Sequence, residues 1–225
     1  YARATKFNIK GILKFIKEDG IPTCEYMDEE MSEGTPTDAT FKTVTLSSFV
    51  ARTLSRISRS LINQSDFDLL QYVVEKVAKA IAVFLEKELI VGTTGKIEGL
   101  SGVTPTTVST INADALIDLQ MAVPSELQNG CEWLMNPTDF KACRKFKTAD
   151  GLYLLNADAT KEFGWEILGK NVMISNQVPA GTIFYGDFSG LYVNLLNDIE
   201  VSVLKEKYAD LFAYGVLGFV QLDAK

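Results

Sequence analysis

Five carboxylates, Glu25, Asp28, Glu29, Glu30 and Glu33, crowd one short stretch of the chain. Carboxylates this close can hold a divalent cation or divide general-acid and general-base work between them. Both uses need a shaped, desolvating wall that fixes geometry and shifts a pKa. These five fall in "CEYMDEEMSEGTPTDATF", an acidic, turn-rich stretch, and the reading that follows is a solvated or partner-facing charge patch. Arg52, Arg56 and Arg59 supply the opposite sign. A helix would align all three, whereas a strand would put Arg52 and Arg56 on one face. Three cations in an acidic protein make a weak nucleic-acid site, but they complement the acidic stretch of another copy; independent surface charges are the alternative. "VGTTGKIEG" invites comparison with a phosphate-binding loop. Its Gly-Lys pair lacks the upstream Gly, lacks a Ser or Thr after the Lys, and follows a predicted helix rather than a strand, so it reads as a turn.

The chain contains no His, which removes the usual zinc sites, the His-dependent Ser and Cys nucleophile systems, and the commonest proton shuttle near neutral pH. Cys24, Cys131 and Cys143 are odd in number and show no CxxC spacing, favouring free thiols in a reducing compartment. No cofactor is implied. A net charge of -7 makes non-specific binding to nucleic acid poor. With 225 residues, 47% apolar and 23% charged, the composition is that of a folded protein with a sizeable core. No stretch reaches the roughly 20 apolar residues of a membrane span, and the opening "YARATKFNIKGILKFIKEDG" has no secretory-leader pattern.

The elements that must position these groups are unevenly distributed. "FNIKGILKFIK" alternates like a strand, and "FKTVTLSSFVARTL" is a second extended run. Together they predict a long hairpin with its tip near 30–40, and an isolated hairpin of this kind needs another surface to lie on. "SDFDLLQYVVEKVAKAIAVFLEKELIVG" predicts a rod-like helix over about 66–91, capped by Ser65 and ended by Gly92. Leu70, Val73, Val77, Ile81 and Phe84 repeat at helical spacing, with Ala78, Ala82, Val83 and Leu85 widening the stripe, so two faces need covering. Beyond Gly92 the pattern predicts a loop to Pro105, a helix over 113–123, a strand at "EWLMN", a helix begun by Pro137 and a loop over 148–165. Strands follow near 167–174, 182–185, 191–195, 199–205 and 212–220. This irregular interleaving is α+β rather than a doubly wound parallel sheet. Trp133, Trp165, Tyr153, Tyr185 and Phe188 lie in or beside these segments without interleaved basic residues, and read as core and interface packing rather than a base-stacking platform.

The ordered set "LIVGTTGKIEGLSGV", "MAVPSE", "WLMNPTDFKACRKFKTADGLYLL", "ILGKNVMISNQVP" and "IFYGDFSGLYVNLLNDIEVSV" resembles the major capsid proteins of tailed phages, which share the Hong Kong 97 fold, over nearly the whole chain. The resemblance implies an N-terminal segment and extended-loop hairpin (E-loop) over 1–60 and a peripheral domain of 61–99 and 194–225 built on a spine helix. It further implies an axial domain over 100–193, with its tip near 150–156. Asp150, Tyr153 and Asn156 at that tip, with the five carboxylates and three arginines, become the expected inter-subunit contacts. The implied function is a self-assembling icosahedral shell of pentamers and hexamers, put together in the host cytoplasm and enclosing double-stranded DNA without specific binding. Portal, scaffolding and maturation-protease proteins are the implied partners, and a start at Tyr1 fits removal of an N-terminal segment. The chain departs from the pattern in two places. No Lys lies in 21–40 and no Asn lies in "EKYADLF", so no covalent cross-link is expected, and Gln221 stands where an Arg is frequent. An encapsulin-type compartment is the rival within the fold; a carboxylate- or metal-dependent enzyme is the rival outside it.

Overall fold

A computed structural model describes residues 3–20, 40–65, 68–103, 105–147 and 166–225. A four-stranded sheet of order β1-β9-β10-β4 carries the longest helix. Its strands are β1 (Thr5–Phe7), β4 (Phe49–Ser58), β9 (Tyr192–Leu204) and β10 (Ala213–Ala224). β10 is antiparallel to both β4 and β9, while β1 runs parallel to β9. Two expected strands, 191–195 and 199–205, are therefore one. Asn197 and Asp198 between them are exposed, and the register with β10 shifts on either side of the Asn197↔Gln221 pair, so the strand runs on through them.

The helix α2 (Leu69–Ile90) lies on one face of this sheet. At 1.5 Å per residue it is about 33 Å long. It begins later than expected. Ser65 does not cap it: its N–H and its hydroxyl both bond back to the Ile62 carbonyl, ending a short preceding helix α1 (Arg59–Gln64). Asp68 is the cap, its carboxylate accepting the Gln71 N–H at 3.0 Å. At the other end Gly92 takes φ 73°, as the expected left-handed position requires. Val77 and Ile81 are buried against Val216 and Val220, with Leu70, Val73 and Leu85 packed around them. The close approach depends on Gly218, where a Cβ would stand 2.6 Å from Ile81 Cδ1 and 2.8 Å from Val77 Cγ1.

The expected hairpin is present as β2 (Leu13–Gly20) paired antiparallel with β3 (Thr40–Leu46), in register from Leu13↔Leu46 outward. It is not continuous with its flanks. Gly11, at φ 120°, separates β2 from β1, so "FNIKGILKFIK" is two strands rather than one; Ser47 and Ser48 likewise separate β3 from β4. The predicted tip and the loop over 148–165 lie outside the described residues.

A second four-stranded sheet has order β6-β7-β5-β8. It is made of β5 (Glu132–Met135), β6 (Glu166–Ile167), β7 (Lys170–Ile174) and β8 (Ile183–Gly186). The expected strand over 167–174 is split by a turn at Leu168 and Gly169, both at positive φ. Helices α3 (Ala113–Met121) and α4 (Pro137–Cys143) start where the sequence predicts, each at an Asn cap, Asn112 and Asn136. Trp133 is fully buried, donating its indole N–H to the Ile167 carbonyl at 3.0 Å. Ile90, Leu134 and Val178 form an apolar contact where the end of α2 meets this sheet.

Candidate functional site

Alternation along β4 places Phe49, Ala51, Thr53, Ser55 and Ile57 inward, leaving Val50, Arg52, Leu54 and Arg56 exposed. Arg52 and Arg56 thus share one face, as strand geometry requires. Their register partners on β10 are Phe219 and Gly215, with Leu217 opposite Leu54. The result is a sheet face with apolar side chains between two cations, on the side away from α2. Val50 is 64% exposed, an unusual position for a β-branched residue in a strand that packs its other side so tightly. Among the described residues no strand pairs with the outer edge of β4.

Arg59 stands apart from the other two. It is half-buried at the start of α1, its guanidinium 5.0 Å from the Phe212 ring centroid and 4.9 Å from that of Tyr214. This aromatic seat helps hold α1 to the start of β10. Glu25, Asp28, Glu29, Glu30, Glu33, Asp150, Tyr153 and Asn156 lie outside the described residues, so their expected contacts rest on sequence alone.

Two further apolar surfaces are open. Val83 and Phe84 on α2 are each 42% exposed, and Phe84 lines a groove of about 410 Å³ between α2 and β4, with Ala51, Ala80 and Ile97. On the ribbon, Lys14, Ile16, Phe41, Thr43 and Thr45 share one face by register; Ile16 is 76% and Phe41 64% exposed. Single exposed apolar residues are ordinary, but repeated ones on regular elements mark contact surfaces.

Among the described residues, groups suited to catalysis do not converge. Among the described residues no cluster of three or more His, Cys, Asp or Glu is placed to hold a metal ion. Burial, aided by neighbouring Asp139, pushes the Cys143 thiol up to about 11, the opposite of what a nucleophile needs. Asp139 itself is buried and accepts the Gly181 N–H at 2.8 Å, a structural tether. Asp187 is held below the ordinary carboxylate range by the backbone N–H and hydroxyl of Ser189 in a tight turn. Tyr185, raised by burial, sits against Trp133 in the second sheet.

The family model for the phage capsid family matches residues 1–223. The chain belongs to the phage capsid family. Its work is structural, that of a capsid protein in a phage or phage-like particle. Solved structures agree on the fold. The capsid of a native GTA particle, computed with C5 symmetry, superposes with a TM-score of 0.84 at 17% identity, covering 100% of this chain and 84% of that one. The match to Microbacterium phage Oxtober96 has a TM-score of 0.76 at 14% identity, with coverage of 100% and 83%. Mycobacterium phage Bobi gives 0.73 at 14% identity, with coverage of 98% and 81%. No curated protein matches the chain. No described helix of this capsid protein is long and apolar enough to cross a membrane.

The residues that tie the ribbon of this capsid protein to its sheet, Asn194 and Asp223, are missed by a search for chemistry-bearing clusters. The signal was present in part: Asn194 stands between apolar residues in "LYVNLL", and Asp223 follows Leu222 in "FVQLDA", and buried polar groups need dedicated partners.

Proposed function

We propose that this chain is the major capsid protein of a tailed phage, prophage or GTA-like particle, assembling through pentamers and hexamers into an icosahedral head around double-stranded DNA. The carrying observation is the β2–β3 ribbon, whose outer face exposes Ile16 and Phe41 and covers no core of its own. A ribbon built this way gains its stability from another surface, and identical copies supply that surface repeatedly and symmetrically. In this reading the ribbon is the extended loop of 1–60. α2 is the spine helix of a peripheral domain formed by 61–99 and 194–225, and 100–193 is the axial domain. The face of Arg52 and Arg56 and the seat of Arg59 receive acidic residues of neighbours, including Glu25, Asp28, Glu29, Glu30 and Glu33. Asp150, Tyr153 and Asn156 meet their counterparts around the capsomer axis. The net charge of -7 leaves packaged DNA unbound, and portal, scaffolding and protease proteins are further partners in the host cytoplasm. The C5 symmetry of the similar GTA capsid supports pentamers.

Electron microscopy of the purified chain across a range of concentrations tests this reading. Rings or closed shells are the expected result; a strict monomer at high concentration overturns it.

A further inference from the structure

The ribbon joins the first sheet through two legs. The first runs from β1 to β2. After Phe7, which pairs with Asn194, the strand leaves the ladder, and the Asn194 side chain takes over. Its amide oxygen accepts the Ile9 N–H and its amide nitrogen donates to the Ile9 carbonyl, both at 3.1 Å. One side chain thereby reproduces the two bonds that a further strand residue would make. The second leg runs from β3 to β4. There the Asp223 carboxylate accepts the Ser47 N–H at 2.6 Å and the Ser47 hydroxyl at 3.1 Å, while the next residue, Ser48, accepts from the Gln221 amide at 3.0 Å.

These two anchors are neighbours. Asn194 and Asp223 are register partners across β9 and β10, and Leu13 and Leu46, the first pair of the ribbon, are register partners directly beyond the two legs. Both polar side chains are essentially inaccessible, at 0% and 1% exposure. Polar groups this deeply buried are costly to leave unpaired and sensitive to geometry when paired. A ring contact braces the same base: Phe15 on the ribbon stacks on Tyr192 of β9 at 4.9 Å and meets Phe7 at 5.0 Å.

We infer that the Asn194–Asp223 pair is a two-point clamp that sets the angle at which the ribbon leaves the sheet, making both residues positioning residues for the overlap between copies. Gly11, at φ 120° with open space where a Cβ would stand, and Ser47–Ser48 are the bends; the clamp selects one bend angle. The role in assembly rests on the function proposed above, whereas the clamp itself is a property of the single chain.

Hydrogen exchange on the full chain separates a positioning role from ordinary stability. In Asn194→Leu and in Asp223→Leu, amides at Ile9, Ser47 and the ribbon base should exchange about tenfold faster for each strong bond lost. Amides of β10 over 216–220 should keep their protection. Unchanged exchange at Ile9 and Ser47, or an equal loss through β10, overturns the clamp. The milder Ser47→Ala, which removes one bond and leaves the strands intact, should show the same pattern at smaller amplitude and covers the case of a misfolded stronger variant. Microscopy of the same variants should show fewer or misshapen shells. Normal shells with a loosened ribbon overturn the positioning role, while a parent chain that forms no shells strikes the assembly reading and leaves exchange to decide the clamp.

Discussion

Single side chains in this protein matter through fit, and two of them give measurable consequences. Gly218 lets α2 approach β10, because a methyl group there would press against Val77 and Ile81. Val77 is branched at its β-carbon and cannot swing aside cheaply. Gly218→Ala should therefore lower stability by about 1–3 kcal/mol, the usual range for overpacking, with a thermal midpoint down about 2–4 °C for each kcal/mol. Cys143 shows the electrostatic side of the same packing. Its thiol titrates at about 11 when folded against an ordinary 9.0. Between those values the folded chain keeps a proton that the unfolded chain has released, so the folded state binds more protons. Stability from this group is complete below 9.0 and is lost as pH rises toward about 11. Chemical denaturation across that window should show a steeper alkaline loss for the parent than for Cys143→Ala. In the native state the thiol should resist alkylation near neutral pH.

At the scale of elements, α2 carries both buried residues that stabilise the fold and exposed apolar ones, Val83 and Phe84. Asp68→Ala removes its cap and should cost about 1 kcal/mol, read by denaturant titration, whereas Ser65→Ala removes the hydroxyl's bond to the Ile62 carbonyl at the end of α1 and keeps the backbone N–H bond. Val83 and Phe84 are different. Because each keeps 42% of its surface exposed, Val83→Ser or Phe84→Ser should change the monomer's stability by less than burial would predict, and should reduce association measured by sedimentation. The rod, its apolar stripe and its terminal Gly were legible because a 3.6-residue period over a long segment is a strong local signal. Its start was not, since Ser65 and Asp68 are both good caps and only the fold of α1 chooses between them. The ribbon was legible as a hairpin, but its interruptions depend on anchors far away in sequence: Asn194 holding Ile9 and Asp223 holding Ser47. Strand β9 reads as two in the sequence because local alternation treats Asn197 and Asp198 as a break, whereas the register shifts against β10 carry the strand through them. The contact surfaces are a proposal that starts from the family resemblance; alternation along β4 separates Arg52 and Arg56 from Arg59, whose aromatic partners come from the other end of the chain.

For the whole molecule, charge and apolar surface act in opposite directions. Copies carrying a net charge of -7 repel one another at low ionic strength, so association has to rest on local patches where the sign reverses or apolar surface is shared. The outer face of β4 offers both, with Arg52 and Arg56 flanking Leu54. Converting both arginines, in Arg52→Glu/Arg56→Glu, removes the complementary patch and adds like charge. Both side chains are exposed, so the monomer's melting should move by no more than about 0.5 kcal/mol per site. Association should fall steeply, and raising the salt concentration should restore part of it by screening the new repulsion. If neighbouring copies meet this face with the acidic stretch, Glu29→Lys/Glu30→Lys in the same chain should recover assembly that each pair of substitutions alone abolishes. A doubly reversed chain that still fails to assemble, while the arginine variant alone also fails, would place the contact on β4 but give it a different acidic partner. Parent-like shells from the arginine variant at low salt would remove the β4 face from the assembly surface altogether. The apolar face of the ribbon and the Phe84 groove would then have to hold neighbouring copies together, and salt would strengthen association rather than weaken it, because those contacts gain from screening of the net charge and lose no ion pairs.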